Sequence, residues 1–356
     1  MDTRTVASGL EGVVVADTML SHVDGERGEQ WIAGRRVEDL PTFEEAAASL
    51  WGADPVRVRA ELGAARARAS AALDRRDPAL SMPDGMDALR ALVARTSVSG
   101  DAIARSVELT AIVAVSAAAW QRARRGLAPI TADPSLAHAA DVLRMVRGEP
   151  GPAAAAAALD RYLVTVIDHG MNASTFAARV VASTGSDDVS AIFAGIGALK
   201  GPLHGGAPGP VLDMLEAIGA PDRARAWLEA ELAAGRRIMG MGHRIYRVRD
   251  PRAAVLEAAI EELERAGIAG GRLALARAVE RAAEDFLRER RPDRPLRANV
   301  EFYTAVVLDA VGIDRTAFTP TFAIGRVAGW CAHVEEQRRS GRLIRPASRY
   351  VGPVPA

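Results

Sequence analysis

The stretch RANVEFYTAVVLDAVGI, residues 297–313, indicates the fold class of this chain. Asn299 and Glu301 stand at the head of a run of apolar residues with the spacing of an α-helix. The same spacing recurs along most of the 356 residues, whereas the alternation of Val, Ile, Thr and Tyr that is typical of strands is scarce. The sequence therefore predicts a mainly helical protein of the all-α class.

Other segments predict the remaining elements. GVVVADT (residues 12–18) and QWIAGRR (residues 30–36) flank the turn-rich HVDGERGE, which indicates a small N-terminal β-hairpin. TFEEAAASLWG, residues 42–52, opens with a threonine and a glutamate three residues on, a capping box, and it ends in glycine. Further helices are predicted over 57–73, 87–95, 102–125 and the alanine run 153–158, with loops over 126–135 and 147–152 and a basic connector over 288–298.

Length and composition limit the class of protein. A chain of 356 residues suits a large domain with a smaller one. Lys and Arg together number 45, as do Asp and Glu, so no basic surplus argues for nucleic acid or an anionic membrane as partner. We find no secretory signal pattern and no run of 18 apolar residues, so we expect no transmembrane helix. The single cysteine, Cys331, is typical of a reducing compartment, and we expect a cytoplasmic protein.

Three of the six histidines lie in turn-rich or glycine-rich segments. His169 is part of VIDHGMNASTF, His204 of LKGPLHGGAPGP, and His243 of IMGMGHRIYRVRDPRA. A lone histidine is usually a surface residue or a satisfied core residue. Glycines beside it allow a ligand to approach the backbone closely, so the glycine-flanked His204 and His243 are candidates for function.

The arginines point to an anionic ligand. Four of them follow His243 within nine residues. This alone is weak evidence, because most arginines on a helical protein are exposed to solvent. Arg326, however, lies in an otherwise apolar helix, where a charge is costly unless it is paired or holds an anion. Arginines and neutral histidines around a glycine-lined cleft would suit a small polycarboxylate, because guanidinium binds carboxylate in bidentate fashion. Glu301 is open to two interpretations, a first-turn helix acid or a general base, and spacing alone favours the first.

Several separated motifs together resemble the citrate synthase family. They are GPLHGGA (201–207), GMGHRIYRVRDPRA (240–253), NVEFYTAVVLDAVGI (299–313), FTPTFAIGRVAGWCAHVEEQ (318–337) and RLIRP (342–346), with further similar blocks near the N-terminus and at NASTF. The resemblance implies an all-helical two-domain homodimer that closes over its substrates. It places a large domain at 1–205 and 310–356 and a small domain at 206–309.

The resemblance also implies a reaction, the condensation of acetyl-CoA with oxaloacetate to citrate and coenzyme A through an enol or enolate. The coenzyme A thioester is then a co-substrate, and neither a permanently bound cofactor nor a metal is implied. His204 is similar to the histidine that binds the thioester carbonyl. His243 resembles the histidine that polarises the ketone, and Glu301 occupies the position of the base.

Binding residues follow from the same resemblance. His169, Arg252 and Arg326 match ligands of oxaloacetate, and Arg345 matches an arginine supplied by the second subunit. Arg247 resembles a contact to a coenzyme A phosphate. Asn172 and Ser174 resemble groups that orient the histidines. The loop expected around the adenine consists of Ile238, Met239, Gly240, Met241 and Gly242.

Three departures from the family pattern leave the substrate open. The family's base is usually an aspartate, where this chain has Glu301; Gly170 replaces an acid, and Pro208 and Gly209 replace two polar residues. The extra methylene moves the carboxylate by about 1 Å, a shift that can cost about a hundredfold in rate. The alternatives are a paralogue for another acyl-CoA or 2-oxo acid, such as a 2-methylcitrate synthase, and a non-catalytic binding protein.

Overall fold

The computed structural model describes residues 8–10, 12–206, 208–242, 245–290 and 296–353. The all-α class is confirmed, since this part of the chain contains fourteen α-helices and one small sheet. The helices are α1 (Phe43–Trp51), α2 (Pro55–Ala72), α3 (Gly85–Val93), α4 (Ala102–Arg124), α5 (His138–Arg147), α6 (Ala153–Val166), α7 (Ala173–Ala182), α8 (Asp188–Leu199), α9 (Pro208–Ile218), α10 (Ala224–Ala233), α11 (Pro251–Arg265), α12 (Arg272–Arg290), α13 (Val300–Ala310) and α14 (Phe318–Ser340).

The N-terminal hairpin exists, and the predicted segment 30–36 contains most of its second strand, but the predicted first strand was wrong. Residues 12–18 are not a strand, and the sheet consists of β1 (Ser21–Asp24), β2 (Glu29–Ile32) and β3 (Arg35–Arg36), antiparallel in the order β1-β2-β3. The first strand begins at Ser21 and continues into HVDGERGE, the segment predicted to be the turn. The Asp24 carboxylate accepts hydrogen bonds from the backbone N–H groups of Glu26 and Arg27, at 3.0 and 2.9 Å, and this closes the tighter turn.

Helix ends follow their capping residues. The Thr42 hydroxyl accepts the Glu45 N–H at 3.2 Å, and α1 ends at Gly52 in a left-handed conformation, as predicted. Helices α2 and α3 begin earlier than predicted because Asp54 and Asp84 act as N-caps. The predicted connector 288–298 is partly helical, since α12 continues to Arg290, and residues 291–295 lie outside the described residues.

Helix α14 is central and packs on α1, α3, α4, α6, α7 and α8. It crosses the end of α6 closely at Gly329, where a Cβ atom would lie 2.2 Å from the Ile167 carbonyl oxygen and 3.1 Å from the Asp168 Cβ. Only glycine permits this approach. The crossing brings Arg326 on α14 beside the segment that carries Asp168 and His169.

Among the residues that the structure describes, one helix, α4, is long and apolar enough to cross a membrane by length and composition alone. Of its most apolar window, 67% is buried inside the protein, where the helix packs on α2, α3, α5 and α14. This burial is typical of the core helix of a soluble domain.

The segment from α9 to α13 forms its own set of helix contacts. Helix α10 packs on α12, and α13 packs on α9, α11 and α12. Two of these helices, α11 and α13, also pack on α6 from the preceding part of the chain. The division into domains at 206 and 309 stays a prediction, but residues on both sides of it meet where α6, α11 and α13 converge.

Candidate active site

Glu301 lies in the first turn of α13, whose N-cap is Asn299. The Asn299 side chain accepts the Glu301 N–H at 3.0 Å and donates to the Gly242 carbonyl at 2.8 Å. The residue keeps some accessible surface, but burial of its carboxyl raises the pKa of Glu301 to about 7, opposed by the positive charges of Arg252 and Arg326. A carboxyl with this pKa is poised to accept a proton near neutral pH.

Arg252 is held by the carboxylate of Asp250. The guanidinium donates to Asp250 at 3.0 and 2.8 Å, and both side chains are buried. Asp250 also caps α11 and accepts the Val300 N–H at 3.1 Å, so it fixes the starts of α11 and α13 together. Burial works against the charge on Arg252, but Asp250 outweighs it and the pKa of Arg252 rises above its usual value.

Arg326 is almost wholly buried, with 1% of its surface exposed. Its Nε–H donates to the Val166 carbonyl at 2.6 Å, and its guanidinium lies 4.8 Å from the centre of the Phe322 ring. Within the described residues, Nη1 of Arg326 has no hydrogen-bond partner. Burial lowers the pKa of Arg326 to about 10, so the side chain is still a cation at neutral pH. A buried cation with a donor to spare is suited to bind an anion.

His204 lies in the turn after α8 and is held from behind by Ser174. Its Nε2 is 2.8 Å from the Ser174 hydroxyl, which also receives the Trp330 Nε1–H at 3.1 Å and lies 2.8 Å from Oδ1 of Asn172. Burial and then the charge of Arg326 lower the pKa of His204 to about 4. The imidazole is therefore neutral at physiological pH and has one N–H to donate.

His169 faces Tyr246, with its Nε2 3.3 Å from the tyrosine hydroxyl. The preceding residue, Asp168, is fully buried, contacts the Ser21 hydroxyl and lies 3.2 Å from His333 Nε2. Although burial opposes its charge, His333 and Arg326 outweigh this and the pKa of Asp168 falls below its usual value.

The tautomer of His333 follows from its two partners. Arginine only donates, so the Arg179 guanidinium, 3.0 Å from Nδ1, makes that nitrogen the acceptor. The proton is then on Nε2 and is donated to Asp168. This buried chain of polar groups fixes the backbone directly before His169.

The loop expected around the adenine, residues 238–242, is hydrogen-bonded through its backbone to the segment that leads into Glu301. The Gly242 N–H donates to the Arg297 carbonyl at 2.7 Å, and the Asn299 N–H donates to the Gly240 carbonyl at 2.9 Å. Met241 forms an isolated antiparallel bridge with Ala298. The loop also contains the buried Ile238 and the partly buried Met239. The Arg247 side chain is exposed, as a contact to a phosphate requires.

The remaining two predicted residues are His243 and Arg345. His243 lies outside the described residues. Arg345 is exposed on the extended segment after α14, where the neighbouring Ile344 N–H donates to the Ser183 hydroxyl at 3.0 Å. Within the described chain, Arg345 makes no ion pair with the cluster. The described residues also contain no group of three or more His, Cys, Asp or Glu side chains placed to hold a metal ion.

The cluster combines a carboxyl with a pKa of about 7, a neutral histidine and two buried arginines. It can hold a dianion, remove a proton and donate a hydrogen bond to a developing oxyanion. Sequence reasoning missed Tyr246, Asp168, Asp250 and Trp330. Of these, only Asp250 had a local signal, because an aspartate before a proline often caps a helix.

Known proteins resemble the chain over nearly its whole length. The citrate synthase of Haloferax volcanii is 39% identical over 97% of this chain and 95% of its own length. The 2-methylcitrate synthase of Mycobacterium tuberculosis is 38% identical over 98% of this chain and 91% of its own length. A solved citrate synthase from Thermoplasma acidophilum, in a ternary complex with carboxymethyl coenzyme A and oxaloacetate, matches at a TM-score of 0.85 and 27% identity, covering 99% of this chain and 98% of that chain.

A family model described as the citrate synthase C-terminal domain matches residues 9–347. The matched range includes every residue of the cluster described above, and the solved structure has the same fold. The chain belongs to the citrate synthase family.

Proposed function

We propose that the protein condenses acetyl-CoA with oxaloacetate to give citrate and free coenzyme A. The observation that carries the proposal is the placement of Glu301, with a pKa of about 7, close enough to Arg252 and Arg326 for their charges to act on it. The arginines would bind the two carboxylates of oxaloacetate, and Glu301 would remove the methyl proton of the thioester.

His204 would donate a hydrogen bond to the thioester carbonyl as the enolate forms. Because Nε2 lies 2.8 Å from Ser174, the donor would be Nδ1, and Ser174 must then give its proton to Nε2. A hydroxyl has one proton, so Ser174 cannot donate to Asn172 at the same time, while the Trp330 N–H fills the acceptor side of the oxygen. While Ser174 donates to Asn172 Oδ1, the His204 proton is on Nε2, so the proposed role requires that the Ser174 proton turn from Asn172 to Nε2 when the substrate binds.

The new carbon–carbon bond joins the enolate carbon to the ketone carbon of oxaloacetate, and the ketone oxygen takes up a proton. We assign that proton transfer to His243, on the resemblance of its motif. One water then cleaves the thioester and releases coenzyme A. The acyl group thus becomes an alkyl substituent of the product, so the enzyme is an acyltransferase that converts the acyl group into an alkyl group on transfer. The proposed reaction needs no permanently bound cofactor.

Propionyl-CoA is the second candidate donor. The relatives named citrate synthase and 2-methylcitrate synthase are similar to the chain to nearly the same extent, at 39% and 38% identity. Glu301 in place of the family's aspartate changes the depth of the carboxylate in the pocket that receives the acyl group.

A thiol-release assay tests the function. We expect free thiol when acetyl-CoA and oxaloacetate are supplied together, and no release when the oxo acid is omitted. Parallel reactions with propionyl-CoA and with other 2-oxo acids measure the preference as kcat/KM. If no pair releases thiol while oxaloacetate still binds in calorimetry, the protein is a binding protein and the proposed function is wrong.

We also propose a homodimer in which Arg345 reaches the partner's site. Co-expressed Arg345→Ala and His204→Ala chains should then regain activity, although each variant alone has little. In random assortment half of the dimers are mixed and each has one intact site, so we expect about a quarter of the parent activity. Co-expressed His204→Ala and Glu301→Gln chains are the control, because both changes affect the same chain's site and neither site is intact in the mixed dimer. Equal activity in the two mixtures would place Arg345 outside the partner's site.

A further inference from the structure

We propose that the turn of the β1–β2 hairpin, residues 25–28, positions the loop 245–249, which carries Tyr246 beside the candidate site. The inference rests on the proposed function, because that function gives the neighbouring His169 and Arg252 their substrate. The hairpin and the loop lie on opposite sides of the predicted domain boundary, and they touch through their backbones.

The contact depends on two glycines. The Arg247 N–H donates to the Gly25 carbonyl at 2.9 Å. A Cβ atom on Gly25 would lie 2.3 Å from the Ile245 carbonyl oxygen, and one on Gly28 would lie 2.7 Å from Cγ2 of Val248. A Cβ on Gly25 fits only if the two backbones move apart, and one on Gly28 fits only if the Val248 side chain or the loop itself shifts.

The loop holds groups that belong to the candidate site. The Tyr246 hydroxyl lies 3.3 Å from His169, and its ring centre is 5.9 Å from the guanidinium carbon of Arg252. Arg249, at the end of the loop, donates to Glu280 at 2.8 Å. A displacement of the loop therefore moves Tyr246 and changes the surroundings of His169 and Arg252, two predicted oxaloacetate ligands, at once.

The same sheet also holds the other side of the site. The Ser21 hydroxyl on β1 accepts the Gly170 N–H at 2.9 Å, and Gln30 on β2 donates to the Asp168 carbonyl at 2.7 Å. These bonds fix the segment around His169. The sheet is thus a common support for the His169 segment and for the loop 245–249, and it sets the distance between them.

Gly28→Ala and Gly34→Ala form a matched pair of variants. Both glycines have a positive φ, 67° and 80°, so alanine is strained at both positions. At Gly34, in the β2–β3 turn, the added Cβ meets nothing within 4 Å, whereas at Gly28 it meets Val248. We expect Gly28→Ala to raise the KM for oxaloacetate about tenfold, since a small misplacement of binding groups is costly. Gly34→Ala should leave the KM near the parent value.

A second substitution tests whether the Val248 contact is the cause. Adding Val248→Ala to Gly28→Ala removes the clashing methyl group and should restore most of the affinity, although Val248→Ala alone has little effect. Such non-additivity is the signature of a direct contact. If Gly28→Ala does not fold, Gly25→Ala replaces it, because Gly25 has an ordinary φ and its Cβ would meet the Ile245 carbonyl.

Hydrogen exchange of the peptide that contains Arg247 gives a readout independent of turnover. We expect faster exchange in Gly28→Ala, parent-like exchange in Gly34→Ala, and recovery in the double variant. Equal exchange in the two glycine variants, no restoration by Val248→Ala, or altered exchange with unaltered oxaloacetate binding would each overturn the inference. A parent protein that turns over no substrate pair would instead overturn the proposed function, and the exchange measurements would still report on the contact.

Discussion

Glu301→Gln is expected to abolish turnover while leaving oxaloacetate affinity nearly unchanged. Glutamine keeps the shape of the side chain but cannot accept the methyl proton, and general base catalysis contributes about 10²- to 10⁴-fold. We therefore expect kcat to fall by about a thousandfold in the thiol-release assay. Near-normal kcat in this variant would return Glu301 to the role of a first-turn helix acid.

Stability provides the control for Glu301→Gln. Burial raises the pKa of Glu301 to about 7, so between its unfolded value near 4 and about 7 the folded state retains a proton that the unfolded state has lost. The free energy of unfolding therefore falls as pH rises through this range, and the ionised carboxylate is destabilising above it. Glu301→Gln removes this cost, so at about pH 8 the variant should unfold at a higher temperature than the parent.

The same pKa gives kcat/KM a pH dependence. Since only ionised Glu301 can take the proton, kcat/KM should fall as pH drops through about 7. His204, with a pKa of about 4, stays neutral over this range and adds no inflection. Glu301→Asp tests the length of the side chain. A faster variant would mean that the pocket keeps aspartate geometry, and a slower one that it is built around glutamate.

Arg326→Leu is expected to raise the KM for oxaloacetate by about a hundredfold to several thousandfold. Loss of one partner of a buried charge pair costs about 3–5 kcal/mol, and each 1.4 kcal/mol is a factor of ten. Arg326→Lys should recover part of the affinity, because lysine keeps the charge but not the planar fork. Calorimetry with oxaloacetate and steady-state kinetics measure the two effects separately.

Arg66→Leu is the matched control for this prediction. Arg66 is as deeply buried as Arg326, but its Nε donates to Asp141 at 2.8 Å and its Nη2 donates to the Leu136 carbonyl at 2.8 Å. Its loss should lower stability and leave the KM of the folded protein unchanged. If Arg326→Leu behaves in the same way, with a normal KM, then Arg326 is structural and not a ligand of the substrate.

The sequence predicted features that depend on neighbouring residues. Helix α1 was recognisable because Thr42 and Gly52 give local signals for its two ends, and α13 because its apolar residues follow the helical period. The hairpin was misplaced because strand pairing is set by partners elsewhere in the chain. Its first strand, Ser21–Asp24, has little apolar alternation, and its Ser21 is held by contacts to Asp168 and Gly170.

The same distinction between local signals and distant partners applies to the candidate site. His204, Arg326 and Glu301 could be identified from the sequence. The signals were the glycines beside His204, the apolar helix around Arg326 and the family motif that contains Glu301, and each of these is a local pattern of residues. The residues that hold these side chains in place could not be identified from the sequence. Trp330 reaches Ser174 across 156 positions and His333 reaches Asp168 across 165, and no periodicity relates residues so far apart.

By itself, the sequence determined the helical class, the family and the residue types available for chemistry, because these depend on composition and local order. Only the tertiary structure decided what those residues are prepared to do. Glu301 began as a carboxyl in the first turn of a helix, where the dipole alone would favour the ionised form. Burial where α13 packs on α6 and α11 raises its pKa to about 7 despite two nearby arginines, since desolvation depends on every segment that packs around a group.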